Sequence, residues 1–165
     1  MIAVSHYASP VGDITYACTD SRLVGLWLAN QKYFAATLKE TPVTDDHHPI
    51  LLQTKDWLDR YFAGEKTSPQ DLPLAPNGSD FRKAVWRILC EIPYGETVTY
   101  GDIAKQIAQQ RGTPRFSAQA VGGAVGHNPI SIIIPCHRVI GSNSNLTGYA
   151  GGIDAKRWLL SFECP

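Results

Sequence analysis

The sequence holds no CxxC pair and no Cys/His set at the spacing of zinc ligands; its four cysteines, Cys18, Cys90, Cys136 and Cys164, stand far apart. Scattered thiols argue against a disulfide-stapled scaffold and for a reducing compartment. Met1 opens no basic-then-apolar run, and the longest apolar runs fall well short of a bilayer span. A soluble protein without a membrane partner is therefore expected, cytoplasmic, or nuclear in a eukaryote. A net charge of one sign is missing as well, since 15 Lys and Arg offset 15 Asp and Glu. Internal repeats are absent. What remains is a globular composition, 44% apolar and 18% charged over 165 residues, enough for one core or two small ones.

The charge that is present is unevenly divided. Residues 1–79 carry six basic and nine acidic side chains, whereas residues 80–165 carry nine basic and six acidic. That gives the second half a mild lean toward an anionic partner. The break falls in "SPQDLPLAPNGSD", whose three prolines and glycine rule out a helix or an interior strand, so a linker is expected over residues 68–79. Before it come strand-like and turn-like segments, among them "SPVGDITYACT" and "RLVGLWLA". A helix follows from Pro49 to a stop at Gly64, with Leu51, Leu52, Lys55, Leu58 and Phe62 at helical spacing. After it, Ser79 or Asp80 caps a helix with Phe81, Val85, Ile88, Leu89 and Ile92 on one face. Thr99 caps a second, Ser117 starts a third, "ISIII" reads as a strand, and Asp154 caps a C-terminal helix.

Two of these helices, in "TYGDIAKQIAQQRGTPRFSAQAVGGAVG", have the layout of a helix-turn-helix, which any two packed helices also share. The second helix holds Gly122 and Gly123 side by side, although one helical glycine costs roughly 1 kcal/mol relative to alanine. A helix this thin suits close backbone approach, to a nucleic-acid groove or to another helix. Further on, "IIIPCHRVIG" ends an apolar run in Cys136, His137 and Arg138. A lone cysteine is most often a small core residue. Here the adjacent basic groups favour thiolate, but neighbouring strand residues face opposite ways, so a water or a bend at Pro135 is needed to link Cys136 with His137.

Together, "FRKAVWRILCEIPYGETVTYGDIA", "AVGGAVGHNPI", "IPCHRVIG", "LTGYAGG" and "KRWLLSFE" make residues 81–163 resemble the 6-O-alkylguanine-DNA alkyltransferase (methylated-DNA–protein-cysteine methyltransferase) family. The first half is similar more loosely, through "SPVGDITYACTDSRLVGL" and "RYFAGE". The resemblance implies an α/β (α+β) fold. Residues 1–67 would form a ribonuclease-H-like α/β domain with an architectural role. Residues 80–165 would form a mainly helical domain with a helix-turn-helix and a short active-site strand. It implies single-use repair: Cys136 takes an alkyl group from guanine, His137 draws the thiol proton through water, and Glu163 orients the histidine. Asn128 would hold the hinge, and Tyr100 would crowd the 3′ phosphate and protonate the leaving guanine. Val139, Tyr149 and Ala150 would line the base pocket, with Val125 and Ala150 small enough to leave it roomy. Gly148, Gly151 and Gly152 would let the loop fold around the base.

On the DNA side, Ala120, Gly122 and Gly123 would enter the minor groove as the base flips out. Thr99, Ser142 and Arg138 would serve phosphates. Gln119 stands where many members carry an arginine finger, so Arg115 or Arg111 would assist extrusion. The implied partner is duplex DNA carrying alkylated guanine, met by a monomer, with cooperative loading, alkyl-group size and activity on alkylated thymine left open. No cofactor is implied. Only Cys18 lies near a position of the zinc site that some members have, so no structural metal is expected. The competing functions are a non-catalytic binder of alkylated DNA, a helix-turn-helix regulator, and a cysteine hydrolase, which lacks an evident oxyanion-hole loop.

Overall fold

The structure is a computed structural model that describes residues 1–142, 146 and 148–165; Thr147 of the "LTGYAGG" motif lies outside them. Strands β1 (Ala3–Ser9) and β2 (Gly12–Cys18) form an antiparallel hairpin around Pro10 and Val11. Strand β3 (Leu23–Leu28) continues the sheet antiparallel to β2, and short β4 (Val43–Thr44) pairs parallel with β1, giving the order β3-β2-β1-β4. Alternation along β2 turns Ile14, Tyr16 and Cys18 toward the main core and Ala17 toward a smaller cluster with Ile2, Val4 and Trp27.

Helix α1 (Pro49–Phe62) packs against this sheet. His48 Nδ1 accepts from Ile50 N at 3.2 Å, and the same nitrogen lies 3.4 Å from the Cys18 sulfur, so His48 acts as a helix cap. Gly64, at φ +94°, lets the chain turn away after the helix. The buried stripe is Ile50, Leu51, Thr54, Trp57, Leu58 and Tyr61, while Leu52 is 46% exposed. The helical spacing expected through Leu52 and Lys55 therefore misses the core face by one position.

Residues 68–79 are packed rather than loose. Leu23 N donates to Pro73 O and Ala75 N donates to Leu23 O, both at 2.8 Å, so this segment lies along β3. Its prolines do not donate, but their carbonyls accept. Leu72 is buried there.

The second half is built of α2 (Asp80–Leu89), α3 (Tyr100–Arg111), α4 (Ala118–Gly126) and α5 (Ile153–Glu163). Ser79 caps α2, Ser117 caps α4, and Thr99 caps α3 with Asp102 returning the bond to Thr99 N. The left-handed Gly112, at φ +67°, ends α3 and starts the turn to α4. Helix α5 departs from expectation: its cap is Gly152, with no side-chain bond, and Asp154 sits in the first turn, where its charge suits the helix dipole. One buried cluster runs through both halves, joining Leu26, Trp57 and Tyr61 to Val85, Ile103, Val121 and Leu159. Among the described residues no helix is long and apolar enough to cross a membrane.

The strand expected at "ISIII" does not form. Ile133 N bonds back to Ser131 O, and Ile132 is forced to φ +70°, the geometry of a tight three-residue turn that a β-branched side chain adopts only under constraint. Pro135, at φ −81° and ψ 66°, makes a second such turn, with Cys136 N donating to Ile134 O at 2.8 Å. Isoleucines 132, 133 and 134 are all about 1% exposed. The segment is wedged between the two halves, where burial on every side replaces sheet alternation. A short strand does border the cysteine, but it follows it: β5 (Val98–Thr99) pairs in parallel with β6 (Val139–Ile140).

Candidate active site

Cys136, His137 and Arg138 form a single 3-10 turn immediately after Pro135. Cys136 and His137 therefore do not sit on a straight strand, where neighbouring side chains would face opposite ways. Asn128 holds the approach to the turn: its Oδ1 accepts from Ile130 N at 3.0 Å, and its Nδ2 donates to Ile134 O at 2.8 Å and Ile130 O at 3.3 Å. The first half holds the same loop from outside. Leu26 N donates to Pro129 O at 2.8 Å, Ser131 N donates to Leu26 O at 2.9 Å, and Ser131 Oγ donates to Gln31 Oε1 at 3.0 Å.

Behind the turn lies a buried charge cluster. Glu163 Oε2 accepts from His137 Nε2 at 2.5 Å and from Tyr61 Oη at 2.6 Å. Its other oxygen accepts from Arg138 Nε at 2.7 Å, and Arg138 also donates to Ile92 O at 2.8 Å. Burial alone would raise the Glu163 carboxyl, but His137 and Arg138 hold it down at about 2. It is therefore ionised. Burial lowers the His137 ring below its ordinary 6.5 and outweighs the pull of Glu163, so the imidazole is neutral. With Nε2–H committed to Glu163, the remaining nitrogen must be the bare one. His137 Nδ1 is buried and has no hydrogen-bond partner among the described residues. A buried acceptor without a donor is costly, and a water is the natural group to fill that need.

The thiol is buried too, and burial pushes its pKa above the ordinary 9.0; Asn128, Lys156 and Tyr149 pull it back only in part. At rest, then, it keeps its proton. Lys156 is fully buried, donates to Val139 O at 2.6 Å, and supplies a cation that favours the sulfur anion once formed. Burial lowers its own pKa.

In front of the sulfur opens a pocket of about 350 Å³ lined by Cys136, Tyr100, Gly122, Gly123, Val125, Gly148, Tyr149 and Ala150, with Lys32, Tyr33, Gly126 and His127. Four expected pocket or catalytic residues thus meet around the thiol: Tyr100, Val125, Tyr149 and Ala150. Val139 is fully buried behind it, in the β5–β6 pair. A larger cavity of about 670 Å³, bordered by Leu74, Trp86, Cys90 and Ile134, holds none of the expected site residues. Among the described residues no three His, Cys, Asp or Glu stand together as metal ligands would.

The outer face of α4 exposes Gln119, Ala120 and Gly123; a Cβ on Gly123 would meet open space, and one on Gly122 would lie 3.8 Å from the Tyr100 ring. Arg115 and Ser142 are also exposed, and Thr99 is half-buried at the α3 cap. Arg111 instead lies over the Phe81 and Phe116 rings, 5.4 and 5.0 Å from their centroids. One expectation is corrected outright: Arg138 offers no phosphate contact. It is 4% exposed, and its guanidinium is spent on Glu163 and Ile92. Sequence reasoning missed Tyr61, Lys156, Lys32 and Tyr33. Lys156 was findable, because it shares the i, i+3, i+7 face of α5 with Leu159 and Glu163. The other three come from the first half and carry no local signal.

Fold and site together define a protein built on a helix-turn-helix, with a cysteine nucleophile backed by a histidine–glutamate pair. Comparison with known proteins narrows this. Residues 80–164 match the DNA-binding domain of 6-O-methylguanine DNA methyltransferase, and residues 2–76 match its ribonuclease-like domain. The chain is 46% identical to a methylated-DNA–protein-cysteine methyltransferase of Methanosarcina acetivorans over 95% of both chains. It is 47% identical to that of Mycobacterium bovis over 94% of this chain and 88% of the relative. The structure of Mycobacterium tuberculosis OGT in complex with DNA is similar at a TM-score of 0.82 and 43% identity, over 98% of this chain and 92% of that one. The chain belongs to the 6-O-methylguanine DNA methyltransferase family.

Proposed function

We propose that this protein repairs 6-O-alkylguanine in duplex DNA by moving the alkyl group irreversibly onto Cys136, as a monomer and once per molecule. The Cys136 proton passes through a water to His137 Nδ1. The sulfur then attacks the saturated alkyl carbon; the S–C bond forms as the C–O bond breaks, and guanine leaves with a proton taken up from the site. Tyr100, on the pocket wall, is suited to give it. Attack at a saturated carbon develops no oxyanion, so no oxyanion hole is needed. The thin outer face of α4 suits close approach to a minor groove, with Gln119 filling the gap left by the flipped base. Thr99, Ser142 and Arg115 remain the candidates for phosphate contacts.

The observation that carries this reading is the bare, buried Nδ1 of His137, with the ring fixed by Glu163, one residue along the chain from a thiol that lines a pocket. Incubation with a duplex bearing one 6-O-methylguanine should add one methyl group to the Cys136 peptide and stop at one repair per molecule. Cys136→Ala should still bind the duplex but repair none of it. An unmodified Cys136, or repair of many lesions per molecule, would sink the proposal; binding without modification would favour the non-catalytic reader.

A further inference from the structure

The pocket in front of Cys136 is not made by the second half alone. After β3 the chain enters a segment in which three non-glycine residues, Asn30, Tyr33 and Ala35, take positive φ of 62°, 59° and 55°. Gln31 pins this segment through its side-chain amide oxygen. Its buried Oε1 accepts from Leu28 N at 3.0 Å and from Ser131 Oγ at 3.0 Å. Next to it, Lys32 N donates to Ala150 O at 3.0 Å, tying the segment to the opposite rim of the pocket. Directly after these two anchors Tyr33 is carried to the pocket and stacked on His127, with ring centroids 4.0 Å apart and planes at 20°. His127 is fixed in turn, since its Nδ1 donates to Gly123 O at 2.7 Å. Both rings line the same cavity as the sulfur.

A left-handed backbone is costly for tyrosine, and Tyr33 is 52% exposed, so core packing does not explain the residue. What the strained turn achieves is placement of an aromatic wall. We propose that Tyr33, through its stack on His127, is a specificity-determining residue that limits the size of the groups reaching Cys136. The inference rests on the alkyl-transfer reading for its natural substrates, where the wall sets the largest 6-O substituent and excludes bulky free bases. The wall itself is a property of access to the thiol and is testable without DNA.

Tyr33→Gly removes the ring and suits the backbone angle, so folding is preserved. Tyr33→Phe keeps the stack, and His127→Ala removes its other half. Each variant is treated with iodoacetamide and with the bulkier N-benzyl iodoacetamide, and alkylation of the Cys136 peptide is followed by mass. The bulky-to-small rate ratio should rise about tenfold in Tyr33→Gly and in His127→Ala, and stay at the wild-type value in Tyr33→Phe. The same ordering is expected for free 6-O-benzylguanine against duplex 6-O-methylguanine. A haloacetamide ratio unchanged in Tyr33→Gly, or one that rises equally in Tyr33→Phe, overturns the wall. A wild-type Cys136 that takes no methyl from DNA refutes the repair reading and leaves the haloacetamide result to decide the wall on its own.

Discussion

At Cys136 and His137 the resting site holds two neutral partners, a thiol raised above 9.0 and an imidazole lowered below 6.5, each shifted chiefly by burial. The reactive form is therefore the neutral pair. It loses its base as pH falls through the folded pKa of His137, and gains a preformed thiolate only above that of Cys136. Single-turnover methyl transfer should be flat from pH 6.5 to 9.0, falling only below that range and changing only above it. A rate that instead climbs steadily with pH through this range and past 9.0 would show an unassisted thiol. Glu163 carries a stability consequence of definite sign. Its folded pKa of about 2 lies below the ordinary 4.5, so its contribution is complete above pH 4.5 and is lost as pH falls toward 2. Glu163→Gln would leave Arg138 buried without a counter-charge. That should cost on the order of 3 kcal/mol, a fall of about 10 °C in melting temperature, together with most of the transfer rate.

Among the elements, α4 sets helix stability against reach. Gly123 has open space where a Cβ would stand, so Gly123→Ala should stabilise the helix by up to about 1 kcal/mol. The same methyl group thickens the face held to enter the groove. Melting temperature should rise while affinity for duplex DNA drops, a pairing that thermal denaturation and a binding titration would reveal. If affinity were unchanged, the two glycines would need another reason. The 131–134 segment makes the opposite trade: three isoleucines with strand propensity are held in tight turns because Asn128 and Leu26 claim the segment's polar groups. The strained Ile132 is tolerated because its side chain is fully packed.

For the molecule as a whole, the first half is more than a support. It supplies Tyr61 to the Glu163 carboxylate, Leu26 to the hinge loop and Tyr33 to the pocket wall. One buried cluster spans both halves, so unfolding should be cooperative. Fluorescence from Trp27 and Trp57 on one side and Trp86 and Trp158 on the other should change in a single denaturant transition that coincides with loss of far-ultraviolet dichroism. Two separated transitions would mean that the halves are independent.

The chain by itself determined the local features: the caps at Ser79, Thr99 and Ser117, the stop at Gly64, the thin glycine-bearing helix, and a cysteine followed at once by histidine and arginine. Each is written in neighbouring residues, through periodicity or a capping side chain. Tertiary structure decided what distant residues do to one another. It put the carboxylate of Glu163 between His137, Arg138 and Tyr61, withdrew Arg138 from the DNA side, bent the isoleucine run, and brought Tyr33 to the thiol. The physical reason is burial: the tautomer of a histidine, the charge of a carboxylate and the free energy of a thiolate depend on which groups exclude water around them, and those groups come from opposite ends of the chain.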